Sequence, residues 1–169
     1  METPLSLESE KLHGELIRNF LEVPREHFVR EPLYDSSMAR VSDGTVARKL
    51  GCGVDTLPPG KTGCPYHFHH AQEEMFIVLE GSGTLRVAGQ LLPIKAGDVI
   101  HIPPGPEYPH QIINSSDAEL KFLSISTQER PEVCEYPDSG KTGAFFGRGK
   151  RAPLIQRDGD SIDYWDGEP

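Results

Sequence analysis

The stretch PYHFHHAQEEMFIVLEG, residues 65–81, decides the reading of this chain. In an extended strand successive side chains alternate faces, so His67 and His69 point the same way, about 7 Å apart along the backbone. Two imidazoles on a concave face can converge on one metal ion. His70–Ala71–Gln72–Glu73 supplies a turn. In the strand that follows, Glu74, Phe76 and Val78 share one face while Met75, Ile77 and Leu79 share the other. A hairpin that brings Glu74 beside the histidine face makes an N, N, O site.

A second informative stretch is GDVIHIPPGPEYPHQIIN, residues 97–114. Gly97–Asp98 turns the chain into a strand over Val99–Ile102, which Pro103–Pro104–Gly105 ends. The next strand begins at His110 and places His110, Ile112 and Asn114 on one face, so His110 could supply a fourth ligand. His101 shares a face with Val99, opposite Ile100 and Ile102. His70 belongs to the turn. Both are expected as exposed or supporting residues, and His13 and His27 as surface residues.

Around these stretches, from about residue 45, short runs of Val, Ile, Leu, Thr and Phe alternate with turns at Leu57–Pro58–Pro59–Gly60, Glu80–Gly81, Ala88–Gly89–Gln90, Ala96–Gly97–Asp98 and Pro103–Pro104–Gly105. This is the texture of an all-β barrel or sandwich. Upstream, Leu5, Leu12, Leu16, Ile17 and Phe20 fall near helical spacing and predict a short amphipathic helix over 5–21. Downstream, residues 131–151 are rich in Pro and Gly and read as an extended segment over the barrel. Ile162, Tyr164 and Trp165 read as a small apolar anchor.

These residues resemble the two motifs of the cupin superfamily, G-x5-H-x-H-x3-4-E-x6-G and G-x5-P-x-G-x2-H-x3-N. His67-x-His69, Glu74 and Gly81 match the first from its H-x-H onward, with Lys61 where its leading Gly is expected. The six-residue spacing to Gly81 favours Glu74 over Glu73 as the carboxylate. Gly97, Pro103-x-Gly105 and His110-x3-Asn114 match the second, with four residues between Gly105 and His110 instead of two. The likeness to small single-cupin proteins runs from about residue 45 to the tail and includes PDSGK, residues 137–141. It implies a double-stranded β-helix, or jelly-roll barrel, with a short N-terminal helical segment and an extended C-terminal tail. Residues 1–44 would be an arm packed on the barrel, 45–130 the barrel core, and 131–169 a strap of the same single domain. It further implies one divalent ion (Zn, Fe, Mn, Ni or Cu) held by His67, His69, Glu74 and His110.

Composition narrows the function classes. A net charge of −9 opposes general binding to nucleic acid or anionic membrane. No run approaches the roughly 18 apolar residues of a spanning helix. The N-terminus has neither a secretory core nor an Arg-rich transit pattern, so a cytoplasmic location is expected. Cys52, Cys64 and Cys134 form an odd set without close pairing, read as structural thiols. By parity Cys64 should point away from the metal. Gly60–Lys61–Thr62 and Ser139–Gly140–Lys141–Thr142 mimic the end of a phosphate-binding loop, but Asp55 and Glu135 stand where its first glycine is needed.

A site of three histidines and one carboxylate leaves coordination positions for a small-molecule ligand. The expected function is a metal-dependent isomerase, lyase or decarboxylase acting on a small polar carbonyl or sugar-like compound. The alternatives are a non-catalytic metal-dependent binding or sensor protein and a dioxygenase. Tyr66, Tyr108, Glu73 and His101 are the candidate general bases. The face of Met75, Ile77 and Leu79 needs cover from an opposing sheet or a second subunit, and with the resemblance this makes a homodimer the expected assembly.

Overall fold

The structure is a computed structural model that describes residues 6–147 and 152–168. After helix α1 (Leu7–Leu16) come thirteen strands: β1 (Arg25–Arg30), β2 (Tyr34–Arg40), β3 (Leu50–Leu57), β4 (Phe68–His69), β5 (Glu74–Glu80), β6 (Ser82–Val87), β7 (Gln90–Lys95), β8 (Val99–Ile102), β9 (His110–Ile113), β10 (Leu120–Thr127), β11 (Glu132–Tyr136), β12 (Lys141–Phe145) and β13 (Leu154–Arg157). They form a six-stranded sheet in the order β1-β2-β3-β10-β5-β8, a four-stranded sheet β13-β12-β11-β4 and a three-stranded sheet β7-β6-β9. All strand pairs are antiparallel, as the expected jelly-roll requires.

Alternation sets the core. On β5, Phe76 and Val78 are buried while Met75, Ile77 and Leu79 are only half-buried on the outer face. Leu57, Leu85, Ile94, Ile102, Ile112, Leu120 and Phe122 complete the cluster. Each such side chain withdrawn from water contributes on the order of 1.5–3 kcal/mol. The β6–β7 hairpin turns through two residues, Ala88 (φ 48°) and Gly89 (φ 75°). Positive φ at both central positions is the type I′ geometry that suits twisted strands.

Four sequence expectations change. The helix is shorter than expected and buries none of its residues; Leu7, Leu12 and Leu16 are exposed, and Leu5 lies outside the described residues. Among the described residues the helix end touches the 41–47 segment, where the Val46 amide donates to the Glu15 carbonyl at 3.1 Å, without burying its apolar side chains. Strand structure begins at Arg25, ahead of the compositional change near residue 45, because β1 (REHFVR) and β2 (YDSSMAR) lack apolar alternation. Ile162, Tyr164 and Trp165 are exposed, with the two rings meeting edge-on at 4.8 Å, so they do not anchor to the barrel. Residues 132–145, expected as an extended segment, form the β11–β12 hairpin, and β11 pairs with β4; 148–151 lie outside the described residues.

Candidate metal centre

The strands bring His67, His69, Glu74 and His110 to one place. His67 and His110 face each other in an antiparallel bridge, with the amide of His67 donating to the His110 carbonyl at 3.1 Å and the reverse bond at 2.7 Å. His69 lies opposite Cys134 of β11. Glu74 opens β5 between Ser126 of β10 and Ile102 of β8.

Their donor atoms converge. His67 Nε2 lies 3.2 Å from His69 Nε2, which is 3.3 Å from Glu74 Oε2; that oxygen is 2.9 Å from His110 Nε2. Hydrogen bonds at the far ring nitrogens fix the tautomers. His67 Nδ1 donates to the Pro65 carbonyl at 2.8 Å, and His110 Nδ1 to the Tyr108 carbonyl at 3.3 Å. A carbonyl only accepts, so Nδ1 carries the proton in both rings, and in the neutral form Nε2 presents its lone pair to the cluster. His69 Nδ1 meets Cys134 Sγ at 3.2 Å and Glu132 Oε1 at 3.6 Å.

Glu74 Oε2 and His110 Nε2, 2.9 Å apart, are buried and among the described residues make no well-aligned hydrogen bond, a costly state for polar atoms. Burial and the neighbouring His110 push His67 down to about 4. Burial acts downward on His69 too, but the Cys134 thiol and the Glu74 carboxylate beside it outweigh burial and carry that ring up to about 10. Burial acts upward on Glu74, yet the His110 and His69 imidazoles beside it hold the carboxyl well below the usual range.

Donors of His67, His69 and Glu74 all lie within 4.8 Å of one another and fit a divalent ion, and His110 reaches this set through its 2.9 Å contact with Glu74. Ligand atoms about 2.1 Å from such an ion stand about 3.0 Å apart in octahedral and about 3.4 Å apart in tetrahedral geometry. The links from His67 to His69, from His69 to Glu74 and from Glu74 to His110, at 3.2, 3.3 and 2.9 Å, fall within or beside that range.

Two openings flank the cluster. One is a cavity of about 400 Å³ that reaches His67, Glu74 and His110 and is walled mainly by apolar side chains, among them Phe28, Met38, Phe76, Ile112 and Phe122. Its floor is the six-stranded sheet. One row across that floor runs Glu26, Met38, Asp55, Phe122 and Val78. The next runs Arg40, Gly53, Ser124 and Phe76, and the last joins Ser126 to Glu74. A Cβ at Gly53 would stand 3.2 Å from Ser124 Oγ, so the glycine leaves space above the sheet. Ser124 Oγ donates to Asp55 Oδ2 at 2.7 Å, and burial raises the Asp55 pKa. The second opening, about 200 Å³, exposes His67 and His69 beside Arg130, Cys134 and Tyr136.

Several expectations are corrected here. Cys64 lines the larger cavity, its Sγ 4.0 Å from His67 Nδ1. Strand parity fails for it because residues 63–66 run as bends and loop ahead of β4. Cys134 touches a candidate ligand instead of only filling space. Tyr66, Tyr108, Glu73 and His101 do not line the cavity; the Tyr66 hydroxyl accepts from the Gly89 amide, and the other three are exposed. His70 lies outside the cluster and pairs with Glu135 at 2.7 Å. Lys61, from the rejected phosphate-loop string, bonds Glu31 at 2.8 Å.

Sequence reading missed Asp55, Ser124 and Glu132. The alternation Gly51, Gly53, Asp55 was a usable signal for an inward carboxylate beside vacated space. No local signal marks Glu132, which is 2% exposed and accepts from the amides of His70 (3.0 Å), Ala71 (3.4 Å) and Gln72 (2.9 Å).

Residues 53–126 match the cupin domain family. An uncharacterised protein of Methanocaldococcus jannaschii is 38% identical over 111 residues, 63% of this chain and 81% of the relative. Auxin-binding protein 1 of Arabidopsis thaliana is 30% identical over 135 residues, 73% of this chain and 64% of the plant protein. A solved structure described as a proposed sugar phosphate isomerase of Acidithiobacillus ferrooxidans superposes with a TM-score of 0.73 at 25% identity, covering 95% of both chains.

Proposed function

The chain belongs to the cupin family, and on that premise we propose that it is a metal-dependent isomerase, lyase or decarboxylase acting on a small carbonyl compound. His67, His69, Glu74 and His110 would hold one divalent ion. The observation that carries this reading is the convergence of their donors, two of which are buried without a hydrogen-bond partner.

When bound, the ion supplies Lewis-acid polarisation of a ligand oxygen. The chain's own residues prepare the place. Pro65 and Tyr108 hold His67 and His110 in the tautomer that presents Nε2. Glu74 contributes the single negative charge among the four ligands. Phe76 and Phe122 exclude water from the cavity floor, which strengthens every charge interaction above it.

A second reading, a binding protein without turnover, draws support from the auxin-binding relative and from the mostly apolar cavity wall. A homodimer belongs to the same proposal, supported by exposed Phe28 and Val29 on the edge strand β1.

The test is metal analysis of protein purified without a histidine tag, alongside His67→Ala and Glu74→Ala. Wild type should carry or take up one ion per chain, and each variant should lose it. A wild type that holds no stoichiometric ion and cannot be loaded refutes the metal centre. A loaded protein that binds carbonyl compounds but converts none favours the binding reading.

A further inference from the structure

The larger cavity also carries information about what enters it, given the metal reading on which this inference rests. Its wall is apolar on several sides, with Phe28 and Met38 from the β1–β2 hairpin, Phe76 and Phe122 from the floor, and Ile112 opposite. Its charged side chains are Glu26, Asp55 and Glu74 against the single cation Arg40. Arg40 Nε in turn lies 3.5 Å from Glu26 Oε2. A phosphate dianion needs several cationic or amide donors, and with Glu74 taken up by the ion this wall offers it the carboxylates of Glu26 and Asp55 and one engaged guanidinium.

The polar features are arranged at two stations. The candidate ligands form one. Asp55 and Ser124 form the other, in rows of the sheet displaced from Glu74 toward Met38. Ser124 is the one hydrogen-bond partner of the Asp55 carboxylate among the described residues, and it engages Oδ2 alone. A half-satisfied carboxylate facing a cavity favours a ligand that brings a donor to it.

We infer that the cavity selects a compact molecule with three parts: an oxygen head that chelates the ion, an aromatic or branched apolar body lying on Phe76 and Phe122, and a hydroxyl or ammonium tail donating to Asp55. Phosphorylated sugars are disfavoured, although the solved relative is described as a proposed sugar phosphate isomerase. The volume of about 400 Å³ is sufficient for such a molecule.

The experiment uses the full chain, loaded with zinc and checked for one ion per chain, titrated calorimetrically with lactate, phenyllactate, 4-hydroxyphenyllactate and ribose 5-phosphate. Phenyllactate should bind at least about tenfold more tightly than lactate, because its ring leaves water. The 4-hydroxy compound should gain about a further tenfold from its bond to Asp55. Ribose 5-phosphate should bind more weakly than phenyllactate. In Asp55→Asn the preference for the hydroxyl should collapse to about twofold or less.

Equal affinity for lactate and phenyllactate, tighter binding of ribose 5-phosphate, or a hydroxyl preference absent from wild type or intact in Asp55→Asn overturns the inference. The wild-type series decides the apolar and phosphate parts even if the variant fails to fold, and Ser124→Ala, which frees Oδ2, must then keep the hydroxyl preference. If no ion is taken up, the metal reading fails separately. The same four ligands against the metal-free protein still decide between apolar and phosphorylated bodies.

Discussion

Replacing Glu132 tests whether the turn between the two histidines and Glu74 is held from β11. The side chain is 2% exposed and its carboxylate lies against the amides of His70, Ala71 and Gln72 at 3.0, 3.4 and 2.9 Å. In Glu132→Ala the three amides fare differently. The His70 amide keeps the Val133 carbonyl at 2.9 Å. The Gln72 amide, in a buried residue, loses its partner outright, at about 1–3 kcal/mol. The Ala71 contact is long and adds less, while the vacated volume adds about 1 kcal/mol. The expected loss is about 3 kcal/mol, a large part of the roughly 5–15 kcal/mol that stabilises a typical domain. Glu132→Gln keeps one acceptor and the volume, and should lose about 1–2 kcal/mol. Urea unfolding followed by circular dichroism gives both numbers. Because Glu132 Oε1 also lies 3.6 Å from His69 Nδ1, metal affinity should fall about 10–100-fold in the alanine variant. Stability within about 0.5 kcal/mol of wild type, or equal effects from Gln and Ala, would refute the idea that this carboxylate organises the turn.

Three further outcomes are expected. With its folded pKa raised to about 10, His69 favours the metal-free fold fully below about pH 6.5 and ceases to as pH rises through about 10. An incoming ion must therefore displace that proton, so affinity should rise about tenfold per unit between pH 7 and 8.5 with about one proton released; calorimetry in buffers of different ionisation enthalpy measures this, and a flat profile contradicts it. Ala88 holds φ 48° in a type I′ turn, so Ala88→Asn should stabilise by about 0.5–1 kcal/mol and raise Tm by about 2 °C; an unchanged or lower Tm counts against it. Sedimentation at micromolar concentration should show a dimer, and monomer alone would remove the homodimer from the proposal.

How much of this could be read from the sequence depended on whether a residue sits in a regular strand. Phe76 and Val78 point inward and Ile77 outward because β5 is extended throughout, and parity transfers directly from sequence to space. His101 follows the same rule on β8 and is exposed. Parity has no meaning for Cys64, four residues ahead of β4 in irregular backbone, and there it misled. His110 was uncertain in spacing because of the longer loop after Gly105. The backbone bridge to His67 shows that the added residues are absorbed before the strand begins. Glu132 and Cys134 were unreadable for another reason: their contacts join positions more than 60 residues apart, and no periodicity encodes such a meeting. Strands β1 and β2 escaped notice because β1 is exposed throughout and β2 buries small residues, Ser36 and Ala39, so neither shows apolar alternation.

The candidate ligands come from separate sheets, and this has a consequence for how site and fold depend on each other. Glu74 belongs to the six-stranded sheet, His69 to the four-stranded sheet and His110 to the three-stranded one, while His67 is fixed by its bridge to His110. Strand β4 holds only two residues, too few to orient His69 by ladder bonds alone. Its orientation therefore rests on β11 and on the contacts of His69 Nδ1 with Cys134 and Glu132. An ion at the convergence point would tie all three sheets together, adding a restraint that the short strand cannot supply. The buried, unpartnered atoms of Glu74 and His110 are then the cost of keeping this point open in the metal-free protein. Under the proposed metal reading the same four side chains would recover that cost on binding, and the site would lie where the sheets meet rather than on any one of them.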